Sequence, residues 1–195
     1  MISNLFARAV IAFAFAGSIV SATPAQAADT FRADPVHSTV VFRVKHMNIS
    51  YCYGRFNKTS GTFRLDEANP AESEVDIQVA ASSIDTDNEA RDKHLRNADF
   101  FDVERHKTIR FQSKKTTRKP GGPFVVEGEL TLHGVTKPLT VEIDSTGIGK
   151  GMLGEIRSGI ETVFTVRRSE FGMDKMIGPV GDEVRLMVSL EGIKE

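Results

Sequence analysis

The chain has 195 residues, of which 40% are hydrophobic and 26% charged, and its formal net charge is −1 at pH 7. A near-neutral charge argues against a nucleic-acid binder, because such proteins use a surplus of Lys and Arg to neutralise phosphates. The single cysteine, Cys52, excludes an internal disulfide. Its position in an alternating segment predicts a small buried apolar residue, and neither a reactive thiol nor a dimer bridge.

The first 27 residues have the features of an export signal. Arg8 precedes an apolar run from Ala9 to Ala22, and Ala25-Gln26-Ala27 offers the small residues that a signal peptidase accepts. The run is shorter than the ~20 residues that span a bilayer, although an uncleaved anchor is an alternative. Cleavage after Ala27 leaves residues 28–195, enough for one domain with a full core.

The rest of the chain is a succession of segments in which apolar and polar residues alternate, the pattern of half-buried β-strands. Eight such segments lie at about 39–45, 50–64, 75–79, 109–112, 124–132, 139–144, 156–166 and 184–191. Most connections are short enough for antiparallel neighbours. Closing an eight-stranded sheet hides its apolar face and removes both open edges. We therefore predict an all-β, eight-stranded antiparallel barrel; a two-layer sandwich is the alternative.

The inward-facing positions of this barrel are almost all aliphatic residues and Phe. Small residues at inward positions (Gly54, Gly128, Ser158 and Thr162) suggest a cavity, although such residues also mark strand bends. An eight-stranded barrel is wide enough for side chains or for one small ligand. The predicted lumen lining is Val40, Phe42, Val44, Phe111, Val126, Gly128, Leu130, Val141, Ile160, Phe164 and Leu186. Such a lining favours a long apolar ligand over a sugar or a nucleotide.

One short helix, at about 87–97, interrupts the alternation. Thr86 and Glu89 have the spacing of a capping box at its start. Arg91 and His94 lie along its narrow apolar stripe, so packing the stripe on the barrel would draw both polar groups inward. We predict that the helix is a lid whose polar groups face a ligand; the alternative is that Arg91 pairs with a nearby carboxylate.

Signatures of catalysis are not found in the sequence: it lacks H-E-x-x-H, G-x-S-x-G, a phosphate-binding loop and CxxC. The five histidines are dispersed, with no pair three to five residues apart on a helix. The sequence therefore predicts no catalytic residues, no metal site and no cofactor; a metal cluster assembled only in the folded chain is the alternative.

Five blocks of residues, in order along the chain, resemble the YceI-like family. They comprise Asp34, His37, Ser38, Phe42, Lys45 and His46; Gly54 and Phe56; Ser83, Ile84, Thr86, Arg91, Asp92, His94, Leu95, Phe100 and Phe101; Gly128, Leu130, Thr131, Leu132, His133, Gly134, Val135, Lys137 and Pro138; and Arg168, Phe171 and Gly172. One departure is His106-Lys107, where the family commonly has an aromatic residue followed by proline.

The resemblance implies a lipocalin-like barrel, exported to the periplasm of Gram-negative bacteria, with an isoprenoid or similar long-chain lipid in its lumen. Arg91, His94 and, by its family position, Arg168 are the expected contacts of the lipid head group. A lipid carrier is therefore the expected function. An accessory enzyme acting on a barrel-bound quinone and a ligand-free, stress-related interaction module are the alternatives, and transient membrane contact and a homodimer are left open.

Overall fold

The computed structural model describes residues 28–195. The predicted export signal and its cleavage site after Ala27 lie outside the described residues. No helix in the described part of the chain has the length and apolar character needed to cross a membrane.

The described residues form eleven strands and one α-helix. The strands are β1 (Phe31–Ala33), β2 (Thr39–His46), β3 (Ser50–Phe56), β4 (Thr59–Arg64), β5 (Glu74–Ala80), β6 (Ile84–Asp85), β7 (Thr108–Arg118), β8 (Phe124–Leu132), β9 (Val135–Lys150), β10 (Ile156–Arg167) and β11 (Val180–Lys194). The helix is α1 (Glu89–Arg96), and 3-10 turns occur at Pro70–Glu72, Ala81–Ser83 and Arg168–Phe171.

The strands close into an antiparallel barrel. β4, β5 and β7 to β11 follow one another around it, and β1 pairs with both β4 and β11 to complete the ring. β2 pairs with the first part of β11 and β1 with its last three residues, while β3 leads almost directly into β4. Counting β1 with β2 and β3 with β4, and leaving out the two-residue β6, which pairs only with β3, gives eight strands. The eight-stranded barrel with a single α-helix confirms the predicted fold.

One end of the barrel is filled by its own side chains. The buried cluster here contains Phe31, Phe63, Phe124, Val126, Ile143 and Leu190, among others. Phe63 and Phe124 are essentially inaccessible to solvent, and the rings of Phe31 and Phe63 stack with their centroids 5.7 Å apart. We call this the closed end.

An ion-pair network holds the chain together at the closed end. The Arg157 guanidinium lies 2.8 Å from Asp34, 2.7 Å from Glu155 and 2.6 Å from Glu191. Asp34 is buried and also binds the His37 ring at 2.7 Å. Hydrogen bonds from His37 and Arg157 hold the pKa of Asp34 well below its usual range. The network joins the β1–β2 turn to β10 and β11.

The helix is positioned by residues other than the predicted capping pair. Its N-cap is Asn88, whose side chain accepts a hydrogen bond from the backbone N–H of Arg91 at 2.9 Å. Thr86 is buried instead: its backbone N–H and its hydroxyl both donate to Asp92. The predicted Thr86–Glu89 capping box is wrong because Asp87, at φ 59°, turns the chain between Thr86 and the helix.

Cys52 is less buried than predicted. It stands opposite Val44 in the β2–β3 pair, and its thiol is free, but the residue is only half-buried. At the outer part of β3 the alternating face is not fully covered, so alternation alone overstated its burial.

Candidate functional site

The interior of the barrel holds an apolar cavity with a volume of about 200 Å³. Nine of the eleven predicted lining residues are on its wall: Val40, Phe42, Val44, Phe111, Leu130, Val141, Ile160, Phe164 and Leu186. Other wall residues, such as Phe56, Ile109 and Val184, continue the same inward faces. Side-chain alternation on a closed barrel therefore produces a continuous hydrocarbon surface.

Two predicted lining residues, Val126 and Gly128, do not line the cavity. Val126 has no accessible surface and belongs to the packed cluster at the closed end. A Cβ on Gly128 would come within 2.7 Å of the Phe111 ring and 2.5 Å of the backbone oxygen of Gln112. Gly54 likewise lies against a ring: a Cβ on Gly54 would come within 2.4 Å of the Phe42 ring. These glycines make room for aromatic rings, not for a ligand.

The other end of the barrel is a mouth covered by the helix and the segment after it. Leu95 of α1, together with Phe100 and Phe101, lines the cavity from this side. Phe101 meets Phe56 edge to face, with ring centroids 5.6 Å apart. The loop between the last 3-10 turn and β11 contributes Met173. The helix is thus the start of a lid, here defined as residues 89–103, but its contribution to the cavity is apolar.

Arg168 lies on the cavity wall and holds the loop at the mouth. Its Nε donates to the carbonyl of Gly181, its Nη1 to those of Met173 and Lys175, and its Nη2 to that of Val180, at 2.6–2.9 Å. Burial lowers the pKa of this guanidinium from its usual value. Four of its five N–H groups are used by the loop, which leaves one on Nη2 for a ligand.

Arg91 and His94 are on the outer side of the lid and are not on the cavity wall. The Arg91 side chain donates to the hydroxyl of Thr86 at 2.7 Å and to its carbonyl at 2.6 Å. His94 lies 3.1 Å from Asp99, which also approaches Lys175 of the opposite loop at 3.7 Å. The structure brings neither residue together with Arg168, and gives both a role in fastening the lid.

Thr162 provides an unexpected polar atom in the cavity. It faces inward from β10, opposite Val188, and its hydroxyl is buried without a hydrogen-bond partner among residues 28–195. A buried polar atom in an apolar wall is costly unless something satisfies it. The alternation predicted its inward direction, but nothing in the sequence indicated that the neighbouring strands supply no acceptor or donor.

The sequence pattern of the YceI-like domain matches residues 31–192, from the start of β1 to near the end of β11. The chain belongs to this family.

Among YceI-like relatives, a UPF0312 protein of Pseudomonas aeruginosa is 37% identical over 190 residues, covering 96% of this chain and 98% of the relative. A UPF0312 protein of Photorhabdus laumondii is 38% identical over 159 residues, covering 82% of each chain.

Solved structures give the same fold. BcnA of Burkholderia cenocepacia has a TM-score of 0.74 at 22% identity, covering 82% of this chain and 98% of that one. The YceI protein of Campylobacter jejuni has a TM-score of 0.68 at 27% identity, with coverages of 77% and 90%. A polyisoprenoid-binding domain from Saccharophagus degradans, implicated in plant cell wall breakdown, has a TM-score of 0.65 at 12% identity, with coverages of 86% and 99%.

Proposed function

We propose that this YceI-like barrel binds one long apolar lipid in its cavity and carries it through the periplasm. The observation that carries the proposal is the combination of an apolar cavity, closed at one end, with one unsatisfied hydroxyl, that of Thr162. The polyisoprenoid-binding neighbour supports an isoprenoid tail. A lipid with a polar group would satisfy Thr162 or the remaining N–H of Arg168, and its chain would occupy the apolar wall.

The cavity size constrains how such a lipid would sit. Its volume of about 200 Å³ is below the ~300–1,000 Å³ of typical small-molecule sites. A long tail therefore needs either displacement of wall side chains or part of its length in the mouth. The lid and the Arg168 loop meet across that mouth through apolar side chains and an exposed Asp99–Lys175 contact, so the two segments are suited to separate from each other.

Loading is proposed to occur from a membrane. Each buried methylene contributes about 0.8 kcal/mol relative to water, so a long tail would nominally exceed the roughly 20 kcal/mol limit of non-covalent affinity. Exchange with a bilayer avoids this, because the tail is apolar in both places. The rim of the mouth carries exposed Met47, Ile49, Met176 and Ile177, and the backbone N–H of Met47 bonds to Pro179, next to the cavity residue Val180. This apolar rim would contact the bilayer.

Native mass spectrometry of the exported protein, purified without detergent, tests the proposal. The expected spectrum shows the chain beginning at Ala28 with one lipid-sized adduct, which organic extraction releases and identifies. Leu186→Trp fills the cavity and should remove the adduct, whereas Val163→Trp, on the outward face of β10, should retain it. A correctly folded protein with no adduct and nothing extractable would instead support the ligand-free module.

Localisation and catalysis need separate measurements. The proposed carrier should be released with the periplasmic fraction, and a chain that starts at Met1 in the membrane pellet would contradict this. Turnover of a reduced quinone by the lipid-loaded protein would favour the enzyme alternative over the carrier.

A further inference from the structure

Asp102, His106 and His133 come together at the rim of the mouth. Each offers one ligand atom, and the three atoms lie within 4.8 Å of one another. Asp102 is near the end of the lid and His106 follows it, whereas His133 is in the turn between β8 and β9. The two imidazole rings are 4.7 Å apart between centroids and inclined by 66°. The cluster is separate from the lipid cavity, whose wall includes none of the three.

The His133 ring has the protonation pattern of a metal ligand. Its Nδ1 lies 3.0 Å from the backbone oxygen of Phe171. Because a carbonyl only accepts, Nδ1 carries the proton and Nε2 of the neutral ring presents a lone pair. That Nε2 is buried and has no hydrogen-bond partner in the described part of the chain. Metal-binding histidines characteristically donate their other N–H to a backbone carbonyl or a carboxylate.

The other two ligands are also held in place. Asp102 is buried, and one of its carboxylate oxygens is 2.9 Å from Arg105, which leaves the second available. Its backbone is in the left-handed region, at φ 44°, and its N–H bonds to Asn97 at 2.9 Å. The His106 ring packs over Gly134, where a Cβ would come within 2.5 Å of Cε1. The ring could not occupy this position above any larger residue.

We propose that Asp102, His106 and His133 bind a divalent transition-metal ion of the zinc class. Two imidazole nitrogens and one carboxylate oxygen suit Zn²⁺ or Co²⁺, with water in the fourth position, whereas Ca²⁺ and Mg²⁺ prefer oxygen ligands alone. A second group of similar composition consists of Asp34, His37 and Glu191. Both of its carboxylates are already paired with Arg157, and it has no buried nitrogen without a partner like that of His133. A metal at the rim would tie the end of the lid to the β8–β9 turn.

Metal titration of the mature protein, stripped with a chelator, tests the site. We expect one Zn²⁺ per chain by calorimetry, a rise in melting temperature with Zn²⁺, and visible absorption bands with Co²⁺ in its place. His106→Gln and Asp102→Asn should each weaken Zn²⁺ binding by more than the roughly 10–100-fold that loss of a second-shell partner costs. His37→Gln, in the other group, is the matched control and should bind as the wild type does.

Several results would overturn the proposal. These are a folded wild type that takes up no stoichiometric Zn²⁺, undiminished binding by His106→Gln, or loss of binding in His37→Gln. The wild-type titration and the His37→Gln control remain informative even if Asp102→Asn does not fold. Lipid content is measured on the same samples, so failure of the metal site and failure of lipid binding are distinguishable.

Discussion

Replacing Thr162 by Val separates the stability of the empty barrel from its affinity for lipid. The two side chains have the same shape, and only the unpartnered hydroxyl is lost. A buried hydroxyl without a partner costs about 1–3 kcal/mol. In the lipid-free protein, Thr162→Val should therefore raise the free energy of unfolding by about 1 kcal/mol, or the melting temperature by about 2–4 °C for a domain of this size.

The same change should weaken lipid binding. If the hydroxyl bonds to the lipid's polar group, its loss removes about 0.5–1.5 kcal/mol, which is a decrease in affinity of about 2- to 13-fold. Stability without lipid and affinity for lipid would thus move in opposite directions. A side chain with only a structural role would not be expected to raise the stability of the lipid-free protein and lower its affinity for lipid when it is replaced.

The assay uses delipidated, refolded protein. Urea unfolding gives the stability, and a limiting amount of the extracted lipid is then shared between ¹⁵N-labelled wild type and unlabelled variant, with native mass spectrometry measuring the bound fraction of each. Thr165→Val, on the exposed face of the same strand, is the control. A lipid-free variant that is less stable than the wild type, or equal sharing of lipid, would refute the assigned role of the hydroxyl.

Three further predictions concern packing and charge. Gly128→Ala should lower the free energy of unfolding by about 1–3 kcal/mol, because its Cβ meets a backbone oxygen at 2.5 Å, whereas Gly149→Ala, with open space around it, should have little effect in the same urea titration. Asp34→Asn should destabilise the protein at neutral pH. Because the folded-state pKa of Asp34 is depressed below its ordinary 3.8, its contribution to the free energy of unfolding is complete above about pH 4 and is lost as pH falls further. The difference in free energy of unfolding between the variant and the wild type should therefore shrink over that acid range. A difference that does not change with pH would contradict the assignment. Arg168→Met should increase hydrogen exchange of the loop from Met173 to Gly181 more than that of β8, and uniform exchange would exclude a local clamp.

The sequence predicted the barrel well because alternation reports directly which face of a strand is buried. Nine of the predicted lining residues follow from that rule alone. Whether an inward glycine opens space or is covered depends on the ring across the strand pair. Phe111 covers Gly128 and Phe42 covers Gly54, and this depends on strand register and rotamers that alternation does not contain.

The polar groups of the lid were less predictable. Helical spacing places Arg91 near the apolar stripe, but its long side chain turns back to Thr86 across a left-handed residue, Asp87. The sequence did not predict the cluster of Asp102, His106 and His133, for a different reason. Asp102 and His106 are close in sequence, but His133 reaches them only through the β7–β8–β9 meander, and no helix-based metal motif describes that arrangement.

The pairing of β1 with β4 and β11, which closes the barrel, affects how the protein folds. β1 closes the ring between β4 and β11, and its register joins Phe31 to both Phe63 and Lys194. The last of these pairings links residues near opposite ends of the described chain, so loop closure makes it among the slowest contacts to form. Until it forms, β4 and the end of β11 expose unpaired edges that other chains can join. Aggregation during refolding should therefore be governed by the three residues of β1, although they contribute little to the cavity.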